Sequence, residues 1–491
     1  MQEKQYLKWY NKVGYGSGDI AGNVVYAFLS SFVMIYLTNT VGLNPGIVGT
    51  LIAASKFFDG VTDIFFGAMI DKTKSRMGKA RPWMLYAYIG CAVTLVAIFA
   101  VPLDMGKTSQ YIWFFIAYTL LNAVFYTANN IAYSALTALV TKNSKERVQM
   151  GSYRFIFAFA TSLLIQSITV GAVAAFGGGA FGWRTIAIIY AVIGLLVNTI
   201  SVLSVKELSQ EELSRSDRME GSVMGEESAK AAENGRETEN GPEAEAGLKA
   251  GDGQAKGAAE EKYGLIEAVK LLAANKYYLM ICGIYILQQI YTAMINMGIY
   301  YMTYVLKNEN LYGVFSWAVN IPLIIALLAT PALVSKWNGM YKLNLRGYML
   351  STAGRAMVIV AGYLGSVPLM LLFTGIAALG QGPWQGDMNA VIAACSEYTY
   401  LTKNKRVDGT MYSCTSLGIK LGGGLGTAVA GWLLAASGFE GTAAVQPDSC
   451  IRMLYFIYLW IPMLINLIMT FILSRMNVEA ANKKLKQQSD I

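Results

Sequence analysis

The chain contains no histidine, and only 14% of its 491 residues are Asp, Glu, Lys or Arg, against roughly 25% in ordinary soluble domains. The first absence excludes an imidazole proton relay and a histidine general base. Any proton or cation is then handled by carboxylates, lysine or tyrosine. No nucleophile–base–orienter set is visible either, so the protein reads as a non-enzyme. The five cysteines, Cys91, Cys282, Cys395, Cys414 and Cys450, show no paired spacing, which argues against a disulfide framework. Sparse charge beside 55% hydrophobic residues excludes a soluble globule, and apolar stretches of membrane-spanning length recur throughout. The class expected is an all-α, multi-pass membrane protein, whose first partner is the lipid bilayer. The net charge of +8 does not imply nucleic acid, because the basic residues fall in alternate loops.

Twelve spans are expected, at 13–38, 44–70, 83–103, 111–140, 152–176, 183–205, 276–303, 311–335, 346–364, 367–395, 410–436 and 451–474. The loops Asp71–Pro82, Thr141–Arg154 and Lys336–Arg346 are basic, as are Lys403–Arg406 and the tail after Arg475. The intervening loops carry few positive charges, so both termini are expected in the cytoplasm. Residues 207–262 are rich in Glu, Ala, Gly, Ser and Lys and cannot bury a core. They read as a disordered cytoplasmic linker, with a regulatory loop as the alternative, between an N-terminal six-helix bundle (1–206) and a C-terminal one with its tail (263–491).

The second expected span contains Lys56, Asp59 and Asp63, spaced by 3 and 4 so that they share one helical face. A charge near the membrane centre costs roughly 2.5–3.5 kcal/mol even on a lenient insertion scale. Asp63 precedes the loop that opens at Asp71 by eight residues, roughly 12 Å of helix, and Asp59 is one turn deeper. Carboxylates kept at that depth point to something bound there. The plainer alternative is a structural Lys56–Asp59 ion pair.

Polar stripes mark four spans. Asp19, Asn23 and Tyr26 share a face of the first; Asn122, Tyr126, Thr127, Asn129, Asn130 and Tyr133 mark the fourth. Tyr285, Gln289, Thr292, Asn296 and Tyr300 mark the seventh; Gln381, Trp384, Gln385, Asp387, Met388 and Asn389 mark the tenth. Interhelical hydrogen bonding accounts for any one of these amides; four stripes together suggest a shared polar cavity. Amides, hydroxyls and aromatic faces are the groups that recognise a polyhydroxylated molecule. Arg154 and Lys420 add two intramembrane cations, and Lys420 needs a carboxylate partner, which Asp59, Asp63 or Asp19 could supply. The candidate substrate residues are therefore Asp19, Asn23, Tyr26, Asn130, Arg154, Trp384, Gln385 and Lys420. Gly418, Gly422 and Gly426, spaced by four, read as a close helix-packing face.

The run Tyr15-Gly-Ser-Gly-Asp19 with Asn23, the Asp59/Asp63 pair, and Asp71-Lys-Thr-Lys-Ser-Arg76-Met-Gly78-Lys-Ala-Arg81-Pro82-Trp83 together resemble the glycoside–pentoside–hexuronide:cation symporter family of the major facilitator superfamily. Glu146-Arg147, Ser152-Tyr153-Arg154, Ser396-Glu397-Tyr398, Lys405-Arg406-Val-Asp-Gly409 and Lys420 extend the match over both halves. The resemblance implies the major facilitator fold and symport of a sugar, glycoside or hexuronide with Na⁺, H⁺ or Li⁺ by alternating access, with no cofactor beyond the coupling ion. It implies that Asp59 and Asp63 hold the cation with the Thr127 hydroxyl, and that Asp71, Arg76, Gly78 and Arg81 form a gating loop. Two carboxylates plus a hydroxyl suit Na⁺; the same pair could instead share a proton. Asn23 and Asn130 stand where melibiose-type members carry aspartates, and Lys56 replaces the commoner arginine. With those charges gone and Arg154 and Lys420 kept, an anionic sugar such as a hexuronide becomes a stronger candidate beside the neutral glycosides. A lysolipid-type carrier of the same superfamily and an ion channel are the other readings.

Overall fold

The computed structural model describes residues 5–141, 143–208, 270, 272–337, 339–403, 418–443 and 445–489; the side chains of Asp63, Asp71 and Asn389 are outside that description. The expected linker, from 209 to 262, and the loop motif around Lys405–Gly409 also lie outside it, as does Cys414.

The described residues form helices: α1 (Trp9–Thr40), α2 (Pro45–Lys72), α3 (Arg81–Ile98), α4 (Lys107–Val140), α5 (Ser144–Ala175) and α6 (Gly179–Ser204) in the first half. The second half has α7 (Lys276–Val305), α8 (Leu311–Trp337), α9 (Met340–Tyr363), α10 (Val367–Lys403) and α11 (Gly418–Ala436). Helix α12 runs from Asp448–Tyr455 through a π-helical turn to Ile461–Ser474, and α13 (Val478–Ser489) follows. Ten helical stretches among the described residues are long and apolar enough to cross a membrane. Helices α2 and α9, of 28 and 24 residues, are outside that set and hold the charges Lys56, Asp59 and Arg355.

Local chemistry explains where the helices begin. The Asn44 side chain accepts from the backbone N–H groups of Gly46 (2.9 Å) and Ile47 (3.3 Å), with Pro45 in the first turn of α2. Asn275 caps α7 the same way, at Tyr277 (2.9 Å) and Tyr278 (3.3 Å).

Two further caps come from across each half. The Glu207 carboxylate accepts from the backbone N–H groups of Lys79 (2.7 Å), Ala80 (2.9 Å) and Arg81 (2.9 Å), at the start of α3. The Glu479 carboxylate does likewise at Met340 (3.1 Å) and Tyr341 (3.0 Å), at the start of α9. Each satisfies orphan donors and places a negative charge at the positive end of the helix dipole. Each is also preceded by a glycine with positive φ, Gly78 at +112° and Gly339 at +143°. A Cβ on Gly78 would collide with Glu207, and one on Gly339 would stand 2.9 Å from Glu479. The two halves thus repeat one device. Glu207, placed by the sequence in the linker, belongs with the N-terminal half, and the Leu208 N–H donates to the Leu139 carbonyl at 2.9 Å.

The halves meet along crossed helix pairs, α2 with α11 and α5 with α8. Small residues permit the approach. A Cβ on Gly49 would sit 2.9 Å from the Thr427 carbonyl oxygen, and one on Gly313 would sit 2.7 Å from the Ser167 Cα. Trp432 donates to Thr50 (2.9 Å) and Trp317 to Ser167 (2.6 Å) across these seams. The ends of α1 and α7 join through the Thr38 and Tyr300 hydroxyls (2.8 Å) and a bond from Asn39 to the Tyr304 hydroxyl (2.7 Å). Phe439 packs edge-on against both tyrosines. These contacts lie at the end of the molecule opposite the 71–82 loop.

Candidate functional site

Asp59 lies on the seam between the halves. Its Oδ1 accepts a hydrogen bond from Thr127 Oγ1 at 2.6 Å. Thr127 follows a π-helical turn, Leu120–Tyr126, and the same hydroxyl lies 2.9 Å from the Asn122 carbonyl five residues back. Turns of this kind recur at functional sites because they free a carbonyl and re-aim a side chain. From the other half, Lys420, itself in a π-helical turn (Gly418–Gly422), donates its Nζ proton to the Asp59 main-chain carbonyl at 3.0 Å. Lys56, one turn before Asp59, lies within electrostatic reach of both Asp59 and Lys420. Thr127 thus meets the Asp59 carboxylate, while Lys420 reaches the main-chain carbonyl of the same residue. The Asp63 side chain lies outside the described residues.

Asp19 forms a second charged centre inside the N-terminal half. Arg154 Nε stands 2.6 Å from its Oδ2, with the two side chains 23% and 17% exposed. The Tyr133 hydroxyl donates to the same oxygen at 3.1 Å, and the guanidinium lies 4.0 Å from the Tyr133 ring centroid, in cation–π range. Asn23 donates to the Asp19 main-chain carbonyl (2.9 Å), and its Oδ1 lies 3.4 Å from the Ser162 hydroxyl. The cation of Arg154 is therefore already neutralised, and an incoming anion would compete with Asp19 for it.

Between the two halves lies a cavity of about 110 Å³. Tyr26, Ser30 and Lys56 line it from α1 and α2, and Tyr118, Asn122 and Tyr126 from α4. Gln289, Thr292 and Asn296 of α7 and Thr427 of α11 complete the polar wall. The fourth- and seventh-span stripes converge here, and from the first-span stripe Tyr26 alone joins them. Its volume falls below the roughly 300–1,000 Å³ of clefts that engulf small molecules, so a glycoside requires the halves to part.

The tenth-span stripe does not join the cavity. Trp384 is 1% exposed and packs in the interior of the C-terminal half with Tyr348, Ile392 and Met469. Asp387 accepts two bonds from Asn344, both at 2.9 Å. Gln381 donates to Ser351 at 3.2 Å, and Asn466 donates to the same hydroxyl at 2.8 Å. Gln381 and Asp387 find their partners within the C-terminal half, so α10 turns its polar face inward. Gln385 is half-buried beside them, and Asn130 is exposed one turn beyond Thr127; neither lines the cavity. Gly418, Gly422 and Gly426 do form a packing face: Cβ atoms there would press on Tyr285, Ile286 and Ala293 of α7.

The loop residues Arg76, Gly78 and Arg81 line a separate cavity at the end of α2 and α3. Arg81 Nε donates to the Val202 carbonyl at 3.0 Å. The Asp71 side chain lies outside the described residues. Two features escaped the sequence reading. Glu207 and Glu479 act at long range, and their only local trace is a glycine before each helix start. Arg355, 2% exposed, donates to the Tyr291 hydroxyl and lies 5.2 Å from that ring. The rule that singled out Lys420, an isolated cation in an apolar helix, applies to it equally.

The two helical halves, the charged centres between and within them, and the polar cavity define a membrane transporter rather than an enzyme. The chain matches the MFS/sugar transport protein family over residues 14–233 and 249–480, and it belongs to that family. It is a multi-pass protein of the bacterial inner membrane. The isoprimeverose transporter of Lactiplantibacillus pentosus is 26% identical over 463 residues, 94% of this chain and 86% of that one. The glucuronide carrier protein homolog of Escherichia coli is 24% identical over 456 residues, 90% of this chain and 87% of that one. The fold is similar to the partially occluded inward open xylose transporter XylE from E. coli, with a TM-score of 0.59 at 13% identity over 96% of this chain and all of that one.

Proposed function

We propose that the protein is a secondary active symporter that couples entry of a sugar or glycoside to a monovalent cation, Na⁺ or H⁺, seated at Asp59 and Asp63. The observation that carries this reading is Asp59 itself: a carboxylate at the seam of the halves, held by Thr127 of one and approached by Lys420 of the other. A cation there neutralises α2 and changes the balance with Lys56 and Lys420, so ion and substrate bias one rearrangement reciprocally. The transporter has twelve spans, the ten apolar stretches plus α2 and α9, with both termini in the cytoplasm by the positive-inside rule. The closed end at Thr38 and Tyr300 then faces outward, and rocking of the halves alternates access to the cavity.

A hexuronide is the preferred substrate class. Lys56 faces the cavity, Lys420 stands at the Asp59 carbonyl, and Arg154 meets an anion once it releases Asp19, while Asn23 and Asn130 add no negative charge. A relative named as a glucuronide carrier homolog supports this direction. The test is uptake into membrane vesicles of a panel of neutral glycosides, pentosides and hexuronides under an imposed Na⁺ or H⁺ gradient. Accumulation should follow one gradient and be inhibited by hexuronides. Uptake that only equilibrates, whatever gradient is imposed, refutes symport; uptake of a neutral glycoside untouched by hexuronides refutes the substrate class.

A further inference from the structure

The cavity beside the 71–82 loop, about 660 Å³ in volume, is lined by Lys74, Arg76, Lys79, Arg81 and Lys206. Among the described residues, the one carboxylate on its wall is Glu207, whose oxygens already accept three backbone N–H groups at the start of α3. Five cations therefore face one acid that is turned toward the helix end. The cavity lies just past the last residue of α2, at the first of α3 and beside the end of α6. In a chain whose helices cross a bilayer, that is the level of the lipid headgroups.

The C-terminal half shows that the cap alone does not demand this chemistry. Glu479 caps α9 in the same way, yet the cavity beside it is about 10 Å³ and lined mainly by Met340, Tyr341, Leu473, Met476 and Val478. One copy of the repeated device is filled and apolar; the other is open and rimmed with cations.

We propose that the basic cavity is a binding site for the phosphate headgroup of an anionic membrane phospholipid, held by Lys74, Lys79 and Lys206 around the ordered Glu207 cap. The proposal rests on the reading that α2, α3 and α6 span the membrane, and not on the identity of the sugar or ion. Juxtamembrane cations attract anionic headgroups through a surface potential that decays within a Debye length. Because Glu207 occupies the helix N-terminus, the side chains rather than the dipole recognise the phosphate.

The test is native mass spectrometry of the full-length protein in neutral detergent with phosphatidylglycerol or phosphatidylcholine, comparing wild type with K74Q/K79Q/K206Q and K74R/K79R/K206R. Retention of phosphatidylglycerol should fall at least about tenfold in the glutamine variant, stay near wild type in the arginine variant, and resist millimolar inorganic phosphate. Phosphatidylcholine retention should not change. Unaltered phosphatidylglycerol retention in a glutamine variant that keeps the wild-type melting temperature overturns the proposal. So does equal displacement by inorganic phosphate, which marks a free-phosphate site, or by a peptide of residues 209–262, which marks the chain's own acidic segment as occupant. If the triple variant melts early, K206Q alone is measured by the same criteria. None of these readouts depends on transport, so they can fail while symport stands.

Discussion

Lys420 of the C-terminal half donates to the main-chain carbonyl of Asp59 in the N-terminal half, 3.0 Å away. The Asp59 carboxylate meanwhile accepts a hydrogen bond from the Thr127 hydroxyl at 2.6 Å. One residue thus carries the contact between halves and the candidate ion ligand. Any change in charge at Asp59 acts directly on the lysine that rests against it.

Thr127→Ala should weaken the coupling cation without abolishing substrate recognition. A hydrogen bond to a charged group contributes roughly 1.5–3 kcal/mol, so the cation concentration for half-maximal uptake should rise about 10–100-fold by the same principle. Thr127→Ser keeps the hydroxyl and should stay near wild type. Cation titration of substrate uptake in vesicles separates the two.

Arg154→Gln leaves the half-buried Asp19 carboxylate facing Tyr133 without its cation. Losing one partner of a fully buried pair costs roughly 3–5 kcal/mol. With both side chains partly exposed, about 1–3 kcal/mol is expected here after screening. The melting temperature should fall in Arg154→Gln and in Asp19→Asn, and recover in part in the double variant. Uptake should be lost in all three.

Crowding the α2–α11 seam should open the end that is closed. Gly49→Val brings branched carbon against the Thr427 carbonyl and the Ala428 backbone, where even a Cβ stands at 2.9 and 3.2 Å. The ends of α1 and α7 are joined there by Thr38–Tyr300 and Asn39–Tyr304. A cysteine introduced by Asn296→Cys, on the cavity wall, should then react faster with an impermeant thiol reagent applied outside.

Glu146 gives a prediction in pH. Burial acts to raise its pKa, but bonds from Thr141, Leu7 and Tyr6 and the charge of Lys12 together hold it below its ordinary value of 4.5. A carboxyl depressed in the folded state stabilises fully above its unfolded value, and that contribution is lost as pH falls through the folded value. Thermal stability should therefore drop below about pH 4.5 in wild type. Glu146→Gln should start lower and lose that part of the pH dependence.

Much of this arrangement is legible in the sequence because membrane burial makes polar residues informative. Asp59, Lys56, Tyr26, Asn122 and Gln289 stand out against apolar neighbours, and the structure brings them to one seam. The stripe of α10 misleads because spacing shows that polar groups share a face, not which neighbour that face meets. Gln381, Trp384 and Asp387 meet the interior of their own half, where Ser351 and Asn344 satisfy the two polar side chains. The Glu207 and Glu479 caps are invisible to local reading, because each carboxylate closes a helix start well over a hundred residues away. Arg355 is legible by its isolation in an apolar helix, by the same rule as Lys420.

The central claim is that Asp59 ties a downhill cation to an uphill solute. Its most direct test is accumulation of substrate in vesicles carrying Asp59→Asn, measured against substrate exchange at equal concentrations in the same vesicles. Exchange should persist while accumulation above the outside concentration disappears. Undiminished accumulation driven by the cation gradient would contradict the account.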